Sequence, residues 1–124
     1  MVLRSWSLAL AVSLSVAAFG VLAAQQTVTQ RFPQFENDDV KVWKSVITPG
    51  TPLPPHHHDH GRVIIPIEGG TIDVVQQNGP AEHHIWEAGK AYWLPVNAPG
   101  TMHTDVNVGK KPVVVMVVEL KKDH

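Results

Sequence analysis

An all-β fold is predicted for this chain by three observations. Its β-rich runs are short and broken by glycine or proline, helical periodicity is absent after the first two dozen residues, and the last run, Val113 to Val118, is apolar at every position. Val40 to Ile47 reads as a strand ended by Pro49-Gly50. Val63 to Ile67 is ended by Gly69-Gly70, and Thr71 to Gln77 by Asn78-Gly79, a strong hairpin signal. His83 to Glu87 stops at Ala88-Gly89, Ala91 to Leu94 at Pro95, and Met102 to Val106 before Gly109. Pro66 cannot donate to a strand ladder, so an edge or a bulge is expected there. The wholly apolar last strand should be buried on both faces, which implies a second covering layer or a homodimer partner. Lys110, Lys111, Lys121 and Lys122 flank it as guards against aggregation.

The segment 1–24 is set apart. Arg4 gives a short basic start, Leu8 to Phe19 is apolar, and the small residues around Ala23 and Ala24 suit signal-peptidase cleavage. A signal peptide over 1–24, a polar lead-in over 25–37 and one folded domain over 38–124 are expected, with export to a periplasm or the cell exterior and no membrane attachment after cleavage; an uncleaved N-terminal anchor is the alternative, since the apolar stretch approaches the roughly 20 residues of a membrane span. About 100 mature residues still bury a core without covalent staples.

Composition narrows the chemistry. With 124 residues, a formal net charge of −1 and 44% hydrophobic content, the chain carries no electrostatic footprint for nucleic acid. It contains no cysteine, which excludes disulfides, thiolate metal sites and cysteine nucleophiles, so any metal is held by nitrogen and oxygen.

The eight histidines are the feature that carries chemistry. His56, His57, His58 and His60 follow Pro54-Pro55 directly. On an extended strand His56, His58 and His60 project to one face with Arg62, while His57 projects to the other. A solvated turn that gathers metals loosely is the plainer alternative for such a cluster. Further along, Gly89, Pro95, Gly100, His103 and Asn107 form a second motif on other strands, able to bring a third imidazole across a barrel.

The two motifs together resemble those of the cupins. The first cupin motif is glycine, five residues, His-x-His, three or four residues, glutamate, six residues, glycine, and it is matched by Gly50, His56, His58 and Gly69. The second is matched by Gly89, Pro95, Gly100, His103 and Asn107, with three extra residues between Pro95 and Gly100 that should lengthen the loop at the mouth without harm to the ligand. The resemblance spans about Glu36 to Lys122. It implies a single antiparallel β-barrel, the double-stranded β-helix or jelly roll, holding one divalent transition metal (iron, manganese, nickel, copper or zinc) on His56, His58 and His103, with His60 a candidate fourth ligand. The motif glutamate is replaced by Arg62.

That replacement leaves a metal on neutral imidazoles without a carboxylate and puts an arginine in the same barrel, so the site should attract a small anionic molecule. Arg62 is the candidate substrate contact, its fork suited to a carboxylate, with an ion pair to Glu119 or Asp105 as the structural alternative. Three-histidine cupin sites are similar to those of dioxygenases that bind substrate and oxygen together. An enzyme of that kind, a non-catalytic binder of small molecules or metal, and a metal-free structural cupin are the readings that stand. Asp105 and Asn107 share the parity of His103, with Asn107 read as a turn fastener. Trp86, Tyr92 and Trp93 are read as core or wall residues, with Trp93 a candidate to line the cavity, and His83 and His84 as surface or dimer contacts.

Overall fold

A computed structural model describes residues 28–122, and all their regular structure is β. The expected signal peptide lies outside the described residues. The strands are β1 Gln30–Glu36, β2 Val40–Ile47, β3 Arg62–Glu68, β4 Gly70–Gln76, β5 Ala81–Trp86, β6 Tyr92–Leu94, β7 His103–Asn107 and β8 Val113–Leu120. They form a five-stranded sheet in the order β1-β2-β8-β3-β6 and a three-stranded sheet in the order β5-β4-β7, with antiparallel pairing throughout. The inner faces of the two sheets enclose the core, as in a jelly roll.

Side-chain alternation decides what goes inside. Trp43 and Ile47 of β2, Ile64 of β3, Ile72 and Val74 of β4, Trp86 of β5, and Val113, Val115 and Val117 of β8 make one buried cluster. Each such side chain stabilises the fold by about 1.5–3 kcal/mol. The Trp43 indole donates to Ser45 Oγ at 3.1 Å, so its polar edge is satisfied inside the core. Gly50, Gly89 and Gly100, three of the motif glycines, all adopt left-handed backbone, at φ +77°, +81° and +76°, which a side chain would oppose.

Several expectations need correction. The segment 25–37 is not merely a lead-in, because β1 runs through it and pairs with β2 from Gln30↔Val46 to Glu36↔Lys41. β8 is not buried on both faces. Val113, Val115 and Val117 are buried, while Val114, Met116 and Val118 are half-buried on an outer face where Ile65 and Trp93 are exposed. The strand lies centrally between β2 and β3, and its neighbours' side chains half-cover that outer face. The Asn78-Gly79 pair does fall between β4 and β5, but without positive φ. A longer connection, Gln77 to Pro80, makes the turn. Pro66 sits at a register shift of the β3/β8 pairing, as its missing donor requires.

Candidate metal centre

The long connection from β2 to β3 carries His56 and His58, and it is fastened to β7 and to the β6–β7 loop. His56 and His103 exchange backbone hydrogen bonds of 2.8 and 2.9 Å, Leu53 N donates to Asp105 O, and Thr104 Oγ1 donates to Leu53 O. At His58 the fastening is reciprocal with Asn97: the His58 amide donates to Asn97 Oδ1 at 2.7 Å, and the Asn97 amide donates to His58 O at 3.1 Å. Asn97 belongs to the three-residue lengthening before Gly100, so that loop does more than extend the mouth. It fixes the backbone of His58.

The result is a group of three imidazoles. His56, His58 and His103 each offer a ring nitrogen within 4.8 Å of the others. His58 and His103 are 5% and 1% exposed. His60 is outside the group. The expected alternation stops at a bend over Asp59 and His60, and the His60 ring is not among those that converge. His57 projects away, its Nδ1 2.7 Å from Thr101 O and its Nε2 3.0 Å from Asp59.

The hydrogen bonds fix two of the tautomers. A carbonyl oxygen only accepts, so His56 Nδ1–H donates to Pro54 O at 2.9 Å and Nε2 keeps its lone pair. His58 Nδ1 lies 2.8 Å from Glu119 Oε1, which leaves Nε2 of that ring for the group. Burial, reinforced by the charges of His56, Arg62 and His58, lowers the His103 pKa to about 3, so this imidazole is neutral at ordinary pH. Burial likewise lowers His56. Burial pushes the Glu119 carboxyl up, but the hydrogen bond and charge of His58, with Arg62 and Lys41, outweigh it and hold the group below its ordinary value.

Whether these residues fit a metal is decided by unmet polar atoms. His56 Nε2 and both ring nitrogens of His103 are buried without a hydrogen-bond partner. Buried donors and acceptors left unpaired cost about 1–3 kcal/mol each. Imidazoles whose lone pairs converge are what a divalent transition ion takes up. The three residues fit such an ion.

Arg62 faces inward and is 5% exposed, with Nη1 donating to Pro95 O at 3.3 Å. Burial lowers its pKa, opposed by the nearby carboxylates of Asp105 and Glu119. The carboxylates expected to be missing are therefore present, on β7 and β8. Glu119 was legible only as an ion-pair partner, although its parity with Val113, Val115 and Val117 marks it as inward-facing. Arg31 on β1 was missed because its strand was missed; its guanidinium lies 5.2 Å from the Trp43 ring centroid.

Two cavities lie nearby, of which the first is lined by Arg62 but by none of the three imidazoles and the second by His58. One of about 360 Å³ is lined by Arg62, Gln76, Glu82, His84, Leu94 and Asn97 among others. The other, about 450 Å³, is lined by Arg31, Phe35, Trp43, His57, His58 and Glu119 among others. His84, read as a surface residue, therefore lines a cavity; it pairs with Ile72, which points inward. His83 stays on the surface, 2.5 Å from Asp73. Trp93 is 55% exposed and lines neither cavity, because it lies over the outside of Gly61. Asn107 fastens a turn: it donates to Ile47 O and Lys111 O and accepts from Gly109 N.

No family model and no curated protein matches this chain. Solved structures do. A cupin domain from Bordetella pertussis Tohama I is 22% identical, with 81% of this chain and 100% of that one covered, at a TM-score of 0.67. An RmlC-like cupin family protein with a double-stranded β-helix fold from Methanocaldococcus jannaschii is 16% identical over 87% and 92% of the two chains, at 0.60. A conserved protein with a double-stranded β-helix domain from Klebsiella pneumoniae is 24% identical over 87% and 90%, at 0.58. With two inner-faced antiparallel sheets, left-handed motif glycines and these neighbours, the chain has the cupin fold, with three converging histidines able to hold a metal ion.

Proposed function

We propose that this chain is an exported, metal-dependent cupin that binds a small anionic organic molecule beside the ion and acts on it. Arg62 is the observation that supports this most directly. It lines the cavity of about 360 Å³ on one side and shares a small interior void with His58 and Asp105 on the other. A buried guanidinium between a ligand-sized cavity and a metal group is placed to hold a carboxylate. Arg31 offers the same charge from the second cavity, which His58 and Glu119 also line.

The chain's own residues divide the work. Pro54 O and Glu119 hold the rings of His56 and His58 in the tautomer that binds metal. Asn97 and the His56–His103 backbone pair hold their positions. Core side chains such as Trp43, Ile64 and Val117 wall the interior void that His58, Arg62 and Asp105 share. When bound, the ion supplies Lewis acidity or oxygen activation. An ion carrier would expose its imidazoles, whereas His58 and His103 are buried, which favours a resident ion. The outer face bearing Ile65, Trp93 and Met116 is assigned to a homodimer contact, which sedimentation of the mature chain tests directly.

The test of the central reading is an Arg62→Ala variant titrated calorimetrically with acetate, malonate and pyruvate after metal loading. Retained metal with lost carboxylate binding supports the clamp. Unchanged carboxylate binding removes it, and a lost fold assigns Arg62 to structure. Oxygen uptake by the iron-loaded chain with any acid that binds then separates an oxygenase from a binder.

A further inference from the structure

The second cavity, of about 450 Å³, shares no lining residue with the cavity that Arg62 lines. Spaces of roughly 300–1,000 Å³ hold small ligands. Strand β1 borders this one. In the pairing of β1 with β2, Gln34 is one residue too many, standing between Pro33 opposite Trp43 and Phe35 opposite Val42. A bulge of this kind bends its strand and breaks the alternation of side chains. Pro33, Gln34, Phe35 and Glu36 accordingly all border the cavity. Phe35 is 57% exposed, an aromatic ring that the core does not use. Trp43 lines the same space, and the Arg31 guanidinium lies 5.2 Å from its ring centroid.

The acids of this cavity are engaged and its bases are not. Glu36 pairs with Lys121 at 2.9 Å, and Glu119 lies 2.8 Å from His58 Nδ1. Arg31 and Lys41 make no ion pair and no side-chain hydrogen bond among the described residues. Burial lowers the Arg31 pKa, opposed by the charges of Asp105 and Glu119. The guanidinium is thus partly withdrawn from water without a hydrogen-bonded partner, and a ligand carboxylate would supply one with two parallel bonds. Pro33, Phe35 and Trp43 add apolar and aromatic wall that a bare carboxylate would leave uncovered. We propose that this cavity is a second ligand site, selective for an aromatic carboxylate, with Arg31 on the carboxylate and Phe35 against the ring. Such a site is separate from the Arg62 clamp and stands whether or not an ion is bound.

The experiment is calorimetric titration of the mature chain with phenylacetate, with acetate, which lacks the ring, and with phenylacetamide, which lacks the charge. Wild type, Arg31→Gln, Phe35→Ala and Arg62→Ala are compared. Phenylacetate is expected to bind at least tenfold more tightly than either of the others. Arg31→Gln should remove roughly tenfold of that affinity and leave phenylacetamide unchanged. Phe35→Ala should weaken phenylacetate about threefold or more and leave acetate unchanged. Phenylacetate that binds no more tightly than acetate overturns the assignment. Equal phenylacetate affinity in wild type and Arg31→Gln overturns it too. Affinity lost in Arg62→Ala but kept in Arg31→Gln places the ligand in the first cavity, which overturns the second site while leaving the clamp standing. Phe35, exposed on an edge strand, can be replaced at little cost to the core, so unchanged phenylacetate binding by Phe35→Ala overturns the assignment even where Arg31→Gln does not fold.

Discussion

His56 and His103, drawn from the two halves of the chain, exchange both backbone hydrogen bonds, at 2.8 and 2.9 Å, and their rings lie 4.4 Å apart at 64°. The main chain thus sets the distance between two candidate ligands before any side chain is chosen. Replacing His103 by alanine leaves that backbone pair intact and removes one imidazole. The untagged mature chain is expected to carry about one ion and His103→Ala close to none, as read by elemental mass spectrometry, with an unchanged far-ultraviolet dichroism spectrum. Full metal retention in the variant would locate binding in the His56–His60 segment alone.

Glu119 acts through His58. Removing its charge in Glu119→Gln keeps a hydrogen-bond acceptor but weakens the orientation and basicity of the ring, so metal affinity should fall roughly 10–100-fold. Competition against a chelator of known affinity measures the change. A variant that binds as tightly as wild type would show that Pro54, Asn97 and the packing already fix the rings.

Metal should stabilise the fold by mass action. At free metal a hundred times the dissociation constant the gain is about 2.7 kcal/mol. In a domain of this size that raises the melting temperature by roughly 10 °C or more. Differential scanning fluorimetry with and without a chelator reads it, and equal melting temperatures would mean that the folded chain has no preference for the ion.

The metal-free chain should be acid-sensitive. His103 is held at a pKa of about 3 in the fold, against 6.5 when unfolded. Between those values the unfolded chain binds more protons, so the stability from this group is complete above about pH 6.5 and is lost as pH falls toward 3. Glu119, also held below its ordinary 4.5, adds a further loss under that value. The urea midpoint of chelator-treated protein is expected to drop from neutral pH to about pH 5 and again to about pH 4. A midpoint that holds or rises on acidification would contradict the sign.

Asn107 is 4% exposed and joins three backbone groups: Ile47 O, Lys111 O and Gly109 N. Asn107→Ala leaves them unpaired in a buried place and should cost about 2–4 kcal/mol, visible as a lower denaturant midpoint. Metal content should not change, because the side chain touches none of the three imidazoles.

How legible the molecule was depended on where side-chain alternation survives. β2 was readable at both ends, because Val40 to Ile47 is bounded by an acidic turn and by Pro49-Gly50. β1 was not, because all of its side chains but Phe32 are exposed and its strand character comes from pairing with β2. With it went Arg31. β8 hid Glu119 for the opposite reason: a strand apolar at every position shows no inner face until its neighbours supply one. His56, His58 and His103 were legible through spacing and through glycines whose left-handed backbone the fold requires. The place of His60 outside that group and of His84 beside a cavity was not, because a bend interrupts the alternation at one and a cross-strand register sets the other.

The pairing of His56 with His103 also bears on the order of events during folding. His56 and His58 are close in sequence, but His103 joins them only after β3 to β6 have been laid down between them. Such non-local closure is slow, in the millisecond-to-second range for β-sandwiches and barrels. An ion meeting the nascent or unfolded chain finds two imidazoles, not three, and is held weakly. The complete set exists only once the last strands have closed the barrel. Metal should therefore slow unfolding far more than it speeds folding, acting as a latch on the finished barrel rather than as a seed for it.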